Sequence, residues 1–174
     1  VTLLRDEGLT IEELAVWRML QRVQVRITRH LESELLVVHD LPLASYDVLT
    51  QLAEAPGRRL RMNDLAERVL LSRSGLTRLI DRLQRDGLVA REACESDARG
   101  LFAVLTDAGA ERLADATPIY LHGVRSHFLD RLEPGEIGHI RAMLARLADH
   151  DAADSADAAD ATDAAGISGA TGAP

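Results

Sequence analysis

From Ile11 to Val38 the sequence carries Val16, Leu20, Val23, Ile27, Leu31, Leu35 and Val38 at steps of three and four residues, the repeat of one apolar stripe along a single helix. At 1.5 Å per residue a helix of that length runs about 40 Å, farther than a small domain can cover by itself. The stripe therefore predicts a helix that meets a partner. Thr10 and, three residues on, Glu13 form a capping box at its start, and Asp40-Leu41-Pro42 breaks it.

Beyond that break the chain reads as helices interrupted by one change of period. Leu43 to Ala55 is a second helix closed by the turn APGRR, and Asn63 to Leu70 a short third one. Ser72 caps a fourth helix that runs to Asp86 and stops at Gly87. Leu88 to Thr106 alternates instead, which predicts two short strands joined by a polar turn at Glu95 to Gly100, a hairpin of the kind called a wing. A long helix resumes at Asp107 and is expected to reach about Leu132, bent near Pro118. Glu133-Pro134-Gly135-Glu136 starts a last helix ending near His150. Residues 151–174 form a low-complexity Asp/Ala segment with few large apolar side chains, expected to be a disordered acidic tail. Its alanines leave open an extension of the last helix toward Ser155.

Composition fits helices. Apolar residues make up 47% of the 174 residues and aromatic ones only 3%, so Leu, Val and Ala must build the core. One folding unit is the starting expectation. A single cysteine, Cys94, excludes an internal disulfide framework and fits a reducing compartment. The N-terminus does not resemble a signal peptide, and no apolar run nears the roughly 20 residues of a membrane span. The expectation is a soluble, cytoplasmic protein with no membrane partner. All twenty basic side chains are arginine, which reads first as a coding bias and second as chemistry. The net charge of −8 is unevenly spread, for residues 58–99 hold ten Arg against seven acidic residues while the last 24 residues hold five Asp and no base.

The basic region coincides with the segment SRSGLTRLIDRL. Projected at about 100° per residue, Leu76, Leu79, Ile80 and Leu83 fall on one side of the fourth helix. Ser74, Thr77, Arg78, Asp81 and Arg85 fall on the other, with Arg82 at its edge. One side belongs to a core, and the other is free to enter a major groove, where Arg bonds guanine and hydroxyls bond bases or phosphates. Short helix, tight turn, second helix and hairpin is the order of a winged helix-turn-helix.

Over Leu43 to Leu113 the sequence resembles the MarR (multiple antibiotic resistance regulator) family of bacterial winged-helix repressors. The stretches RMNDLAERVLLSRSGLTRLIDRLQRDGLVARE, SDARG and AVLTDAG match in order and spacing, and helical flanks extend the likeness over most of residues 10–148. The resemblance implies a mainly α (α+β) fold and a homodimer on a pseudo-palindromic site in double-stranded DNA. It divides the chain into an N-terminal dimerisation helix, 1–42, a DNA-binding domain, 43–106, C-terminal dimerisation helices, 107–150, and the tail, 151–174. Carried over by position, Ser72, Arg73, Ser74, Thr77, Arg78 and Arg82 become DNA-binding candidates on a recognition helix. Asp97 and Arg99 become candidates in the wing, the arginine entering a minor groove and the aspartate orienting it. Relatives often have a second basic residue where Ala98 stands, so wing contact is expected to be weaker. Leu70 stands in a turn where many relatives have Gly, which suggests a helical or tightly packed turn rather than a left-handed one.

The resemblance also implies a small-molecule pocket between lobe and dimer region. Trp17 and Tyr46 are placed for an aromatic or phenolic ligand to stack on, with Arg18 or His39 meeting its carboxylate, although core packing is the competing role for Trp17. Arg18, Arg22, Arg26 and Arg29 form a stripe of their own, a solvated face or one that pairs with acidic groups, or else the lining of an anion pocket. The six histidines, at 30, 39, 122, 127, 139 and 150, lack compact ligand spacing, and no catalytic or phosphate-loop motif is present. The reading is therefore a regulator and not an enzyme, with no cofactor and no metal site. A metal- or redox-responsive regulator of the same fold, or a winged-helix protein-interaction module, remain the alternatives. Cys94 falls in a wing strand and is expected to be a small buried hydrophobe.

Overall fold

The computed structural model describes residues 8–94 and 97–148, with the backbone alone at 94 and 97–99. Helix α1, Ile11–His39, begins with the expected capping box: the Glu13 N–H donates to the Thr10 hydroxyl at 3.1 Å and the Thr10 N–H to the Glu13 carboxylate at 2.7 Å. Those bonds favour the ionised carboxyl and hold Glu13 below its usual range. The helix closes at Asp40, which turns left-handed with φ 47°.

Helix α2, Leu43–Glu54, follows Pro42, which offers no side-chain cap. Glu32 of α1 does so instead, its carboxylate accepting the Leu43 N–H at 2.6 Å and meeting the positive end of the α2 dipole. A turn with positive φ at Gly57 and Arg58 then delivers Arg59–Arg61, strand β1, to the sheet edge. Helix α3, Met62–Arg68, and helix α4, Arg73–Arg85, come next, followed by β2, Val89–Cys94, and β3, Asp97–Leu105.

The sheet is antiparallel with order β1-β3-β2, so the expected two-stranded wing has a third strand. Strand β1 escapes a period-two reading because it is three residues long and buries only Leu60. The polar turn is also shorter than Glu95 to Gly100, because an irregularity at Ala93/Cys94 lets Cys94 pair with Asp97 and starts β3 there. The turn before α4 departs from expectation too. Leu70 has φ 52°, the left-handed conformation, and it is 91% exposed rather than packed.

Helix α5, Asp107–His127, is capped by the Thr106 hydroxyl, which accepts the Gly109 N–H at 3.0 Å. It passes through Pro118 and ends before the expected Leu132, because Phe128 leaves helical geometry. The α4 stripe Leu76, Ile80 and Leu83 is fully buried with Leu49 and Leu52 of α2, Leu65 of α3, and Val89 and Leu105 of the strands. Leu31 and Leu35 are the buried members of the α1 stripe, whereas Val16, Leu20 and Val23 lie uncovered.

Residues 129–148 form a second unit, a turn at Leu129–Arg131 followed by helix α6, residues 136–148. At its start the Glu136 carboxylate accepts the Glu133 N–H at 2.7 Å. Ile137, Met143, Leu144 and Leu147 are exposed on it. The expected end near His150 and the acidic tail 151–174 lie outside the described residues.

Candidate nucleic-acid interface

Helix α4 is positioned by its two ends. Ser72 caps it, its hydroxyl accepting the Gly75 N–H at 3.1 Å and lying 3.3 Å from the Ser74 hydroxyl. At the other end the Leu88 N–H bonds the Leu83 carbonyl at 2.9 Å while Gly87 turns left-handed, so β2 leaves at once for the wing. With its apolar side fixed in the core, the helix exposes Ser72, Arg73, Ser74, Thr77, Arg78, Asp81 and Arg82.

The charges on that exposed side are not equivalent. Arg73 and Arg78 make no ion pair or hydrogen bond among the described residues, leaving both guanidiniums available. Thr77 donates its hydroxyl proton to the Arg73 carbonyl at 2.8 Å and keeps its oxygen as an acceptor. Arg82 lies 4.0 Å from Asp86. Asp81 would repel a phosphate, but Arg91 of β2 reaches back and pairs with it at 2.6 Å. The same guanidinium donates to the Gln84 side chain at 2.7 Å and to the Thr77 carbonyl at 3.4 Å. Arg91 thus ties the wing to the middle of α4 and removes the one negative charge from the centre of its outer side. Strand β1 adds Arg59 and Arg61, stacked at 5.0 and 5.8 Å over the Phe102 ring. Neither the Arg91 bridge nor this platform was foreseen. The only sequence signal for them was the excess of arginine over residues 58–99. The Asp97 and Arg99 side chains, like that of Cys94, lie outside the described residues.

The ligand candidates do not converge within one chain. Trp17 is exposed at the outer end of α1, whereas His39 ends that helix 22 residues later, about 33 Å along the axis at 1.5 Å per residue. The His39 carbonyl accepts a bond from Arg112. Tyr46 is a core residue, stacked on Tyr120 at 4.4 Å with its hydroxyl 3.3 Å from that of Thr117. Burial, then the neighbouring Asp47 and Tyr46, push the Tyr120 phenol above its usual pKa. The cleft that does adjoin the end of α4 has a volume of about 460 Å³ and is lined by Asp40, Asp86, Glu111, Asp115 and Arg112. Four carboxylates against one guanidinium make it a poor home for an acid.

His30 stacks on His127 at 4.4 Å, and His127 meets Glu34 at 2.7 Å, joining α1 to α5 through residues that look unrelated in sequence. Among the described residues no three His, Cys, Asp or Glu side chains are grouped to hold a metal ion. None of the described helices is long and apolar enough to cross a membrane.

Residues 39–100 match the sequence profile of the MarR family. AbsC, a MarR family transcriptional regulator from Streptomyces coelicolor, superimposes with a TM-score of 0.76 at 39% identity, over 83% of this chain and 97% of that one. A second MarR family regulator from the same organism, solved in complex with DNA, gives 0.78 at 38% identity over 83% and 91% of the two chains. A helix-turn-helix transcriptional regulator of Bacillus subtilis is 31% identical over 90 residues, which span 52% of this chain and 58% of that protein. The chain belongs to the MarR family of winged helix-turn-helix, DNA-binding transcriptional regulators.

Proposed function

We propose that the protein is a homodimeric repressor that occupies a pseudo-palindromic operator in the cytoplasm and is released by a small aromatic ligand. The observation that carries the DNA-reading part is the division of α4 into a fully buried apolar side and an exposed side whose Arg73 and Arg78 are unpaired. In this reading Ser74, Thr77 and Arg78 reach base edges, and Ser72, Arg73 and Arg82 take phosphates. In the wing, Arg99, oriented by Asp97, enters the minor groove. The relative solved with DNA supports a duplex as the partner.

A second copy is the occupant that fits the uncovered stripe of α1. Val16, Leu20 and Val23 are 66%, 44% and 45% exposed, and covering each side chain contributes up to about 1.5–3 kcal/mol. A two-fold axis then sets the two α4 helices about one DNA turn apart, roughly 34 Å. A ligand acts by preferring a dimer with the wrong separation, and a few kcal/mol of such preference empties the operator. The carboxylate-lined cleft at the end of α4 fits a neutral phenol or an aromatic amine better than an aromatic acid.

Selection from a pool of random duplexes tests the reading. Recovered sites are expected to be inverted repeats with half-sites one helical turn apart, bound by two chains, with affinity falling steeply as salt rises. A pool that yields no consensus, or one chain per site, would contradict it. Titration of the bound complex with a phenol and with the matching benzoate tests the ligand part, and release by the benzoate alone would reverse the assignment of the cleft.

A further inference from the structure

Helix α1 carries a second uncovered face. Arg18, Arg22, Arg26 and Arg29 follow one another at steps of four, four and three residues. At about 100° per residue they share one arc, opposite Val16, Leu20, Val23 and Ile27. A second copy seated on the apolar stripe therefore leaves the arginines open. All four are exposed, and none makes an ion pair or hydrogen bond among the described residues. Together with Gln21, Val25 and His30 they line an open groove of about 660 Å³. Arg58, Arg59, Arg82 and Arg91, by contrast, each sit beside a carboxylate. Like charges three and four residues apart repel along a helix, so an anion lying on this face stabilises it.

The sequence holds a matching polyanion. Asp151, Asp154, Asp157, Asp160 and Asp163 recur at every third position of a segment without a basic residue. Its length is ample for the arginine face, which rises about 16 Å from Arg18 to Arg29 at 1.5 Å per residue. We propose that the acidic segment 151–163 docks on the Arg18, Arg22, Arg26 and Arg29 face of α1 through guanidinium–carboxylate pairs. Such pairs are charge-assisted, and tethering within one polypeptide raises the effective concentration toward the millimolar range. A segment held there does not compete with phosphates for Arg73 and Arg78.

Trp17 reports on the contact, because it is the only tryptophan, neighbours Arg18 and is 55% exposed. A synthetic peptide of residues 151–163 carrying a fluorescence quencher is titrated at low salt into three full-length proteins. The first is the parent, and the second has all five aspartates of the segment changed to Asn. The third adds Arg18→Gln, Arg22→Gln, Arg26→Gln and Arg29→Gln to the second. The five-Asn variant is expected to be quenched at peptide concentrations at least tenfold lower than the parent, whose face is already occupied. The third protein should not be quenched, and a fourfold Arg→Lys version in the same background should recover quenching. About 0.5 M salt, where the Debye length is a few ångströms, should abolish it throughout. Equal curves for the parent and the five-Asn variant would mean an empty face, and quenching that survives loss of the four arginines would mean another site. Tighter binding of a random DNA duplex than of the peptide to the arginine face of the five-Asn variant would assign that face to nucleic acid. Each of these three results overturns the proposal.

Discussion

Leu70 and Gly87 close helices α3 and α4 with the same pair of hydrogen bonds. Leu71 N–H reaches the Ala66 carbonyl at 3.1 Å and Leu70 N–H the Glu67 carbonyl at 3.3 Å, as Leu88 reaches Leu83 and Gly87 reaches Gln84. Both residues are left-handed, but only the leucine has a Cβ to crowd the following carbonyl. Its exposed side chain contributes no packing that would offset the strain. Leu70→Gly should raise stability by about 1 kcal/mol, roughly 2–4 °C in melting temperature for a chain of this size. Leu70→Ala, which keeps the Cβ, should not, and thermal melts of both variants check the claim. Asp47 is strained electrostatically rather than sterically. Half-buried beside Glu32, its carboxyl is pushed above the usual range, first by burial and then by that neighbouring charge. The folded state therefore holds the proton more tightly than the unfolded chain. The stability this contributes is complete below the unfolded pKa and lost as pH rises through the raised one. Asp47→Asn is expected to increase the melting temperature at pH 7 and to leave it unchanged near pH 3. An equal gain at both pH values would point to packing instead.

At the scale of elements, the geometry of the interface depends on how the wing meets α4. Arg91→Ala removes three contacts to that helix and leaves the Asp81 carboxylate bare on the side that meets phosphates. Operator affinity should fall about tenfold, or about 1.4 kcal/mol, and adding Asp81→Asn should restore part of it. Full affinity in Arg91→Ala would show that the bridge positions nothing. On the other side of the wing, a Cβ at Gly109 would lie 2.1 Å from the Leu88 carbonyl oxygen and 2.7 Å from a Leu105 methyl. Gly109→Ala should cost about 1–3 kcal/mol of stability, read from denaturant melts. These two elements also show what a sequence discloses. The extent of α4 was legible because its signals are local: Ser72 before it, Gly87 after it, and a period-3.6 stripe between. The Arg91 bridge was not, because it depends on where a strand runs after a turn. Strand β1 was not either, being too short to show a period. The stack of His30 on His127 joins helices from opposite ends of the described chain, and no spacing rule reaches that far. Tyr46 was placed correctly near the start of α2, but its packing on Tyr120 depends on the path of α5. Leu70 was misread because its left-handed turn normally selects glycine, and here the backbone bonds impose it on a leucine.

The whole molecule is a strongly acidic chain that concentrates its positive charge where the winged lobe forms, so net charge by itself misjudges its partner. Its longest helix carries an apolar stripe that the same chain covers only at Leu31 and Leu35. Leu20→Glu, which changes an already exposed residue, should leave the melting of a single chain nearly intact while abolishing the dimer in sedimentation and, with it, operator binding. A monomer that still binds the operator at parental affinity would remove the two-fold assembly from the account. The central claim is narrower, that the exposed side of α4 reads base pairs. The most direct test repeats the duplex selection with Arg78→Ala. The account predicts the same inverted repeat with preference relaxed at one base pair in each half-site, a loss of about 1–3 kcal/mol of discrimination at that position. An unchanged consensus, with undiminished preference at every position, would contradict it.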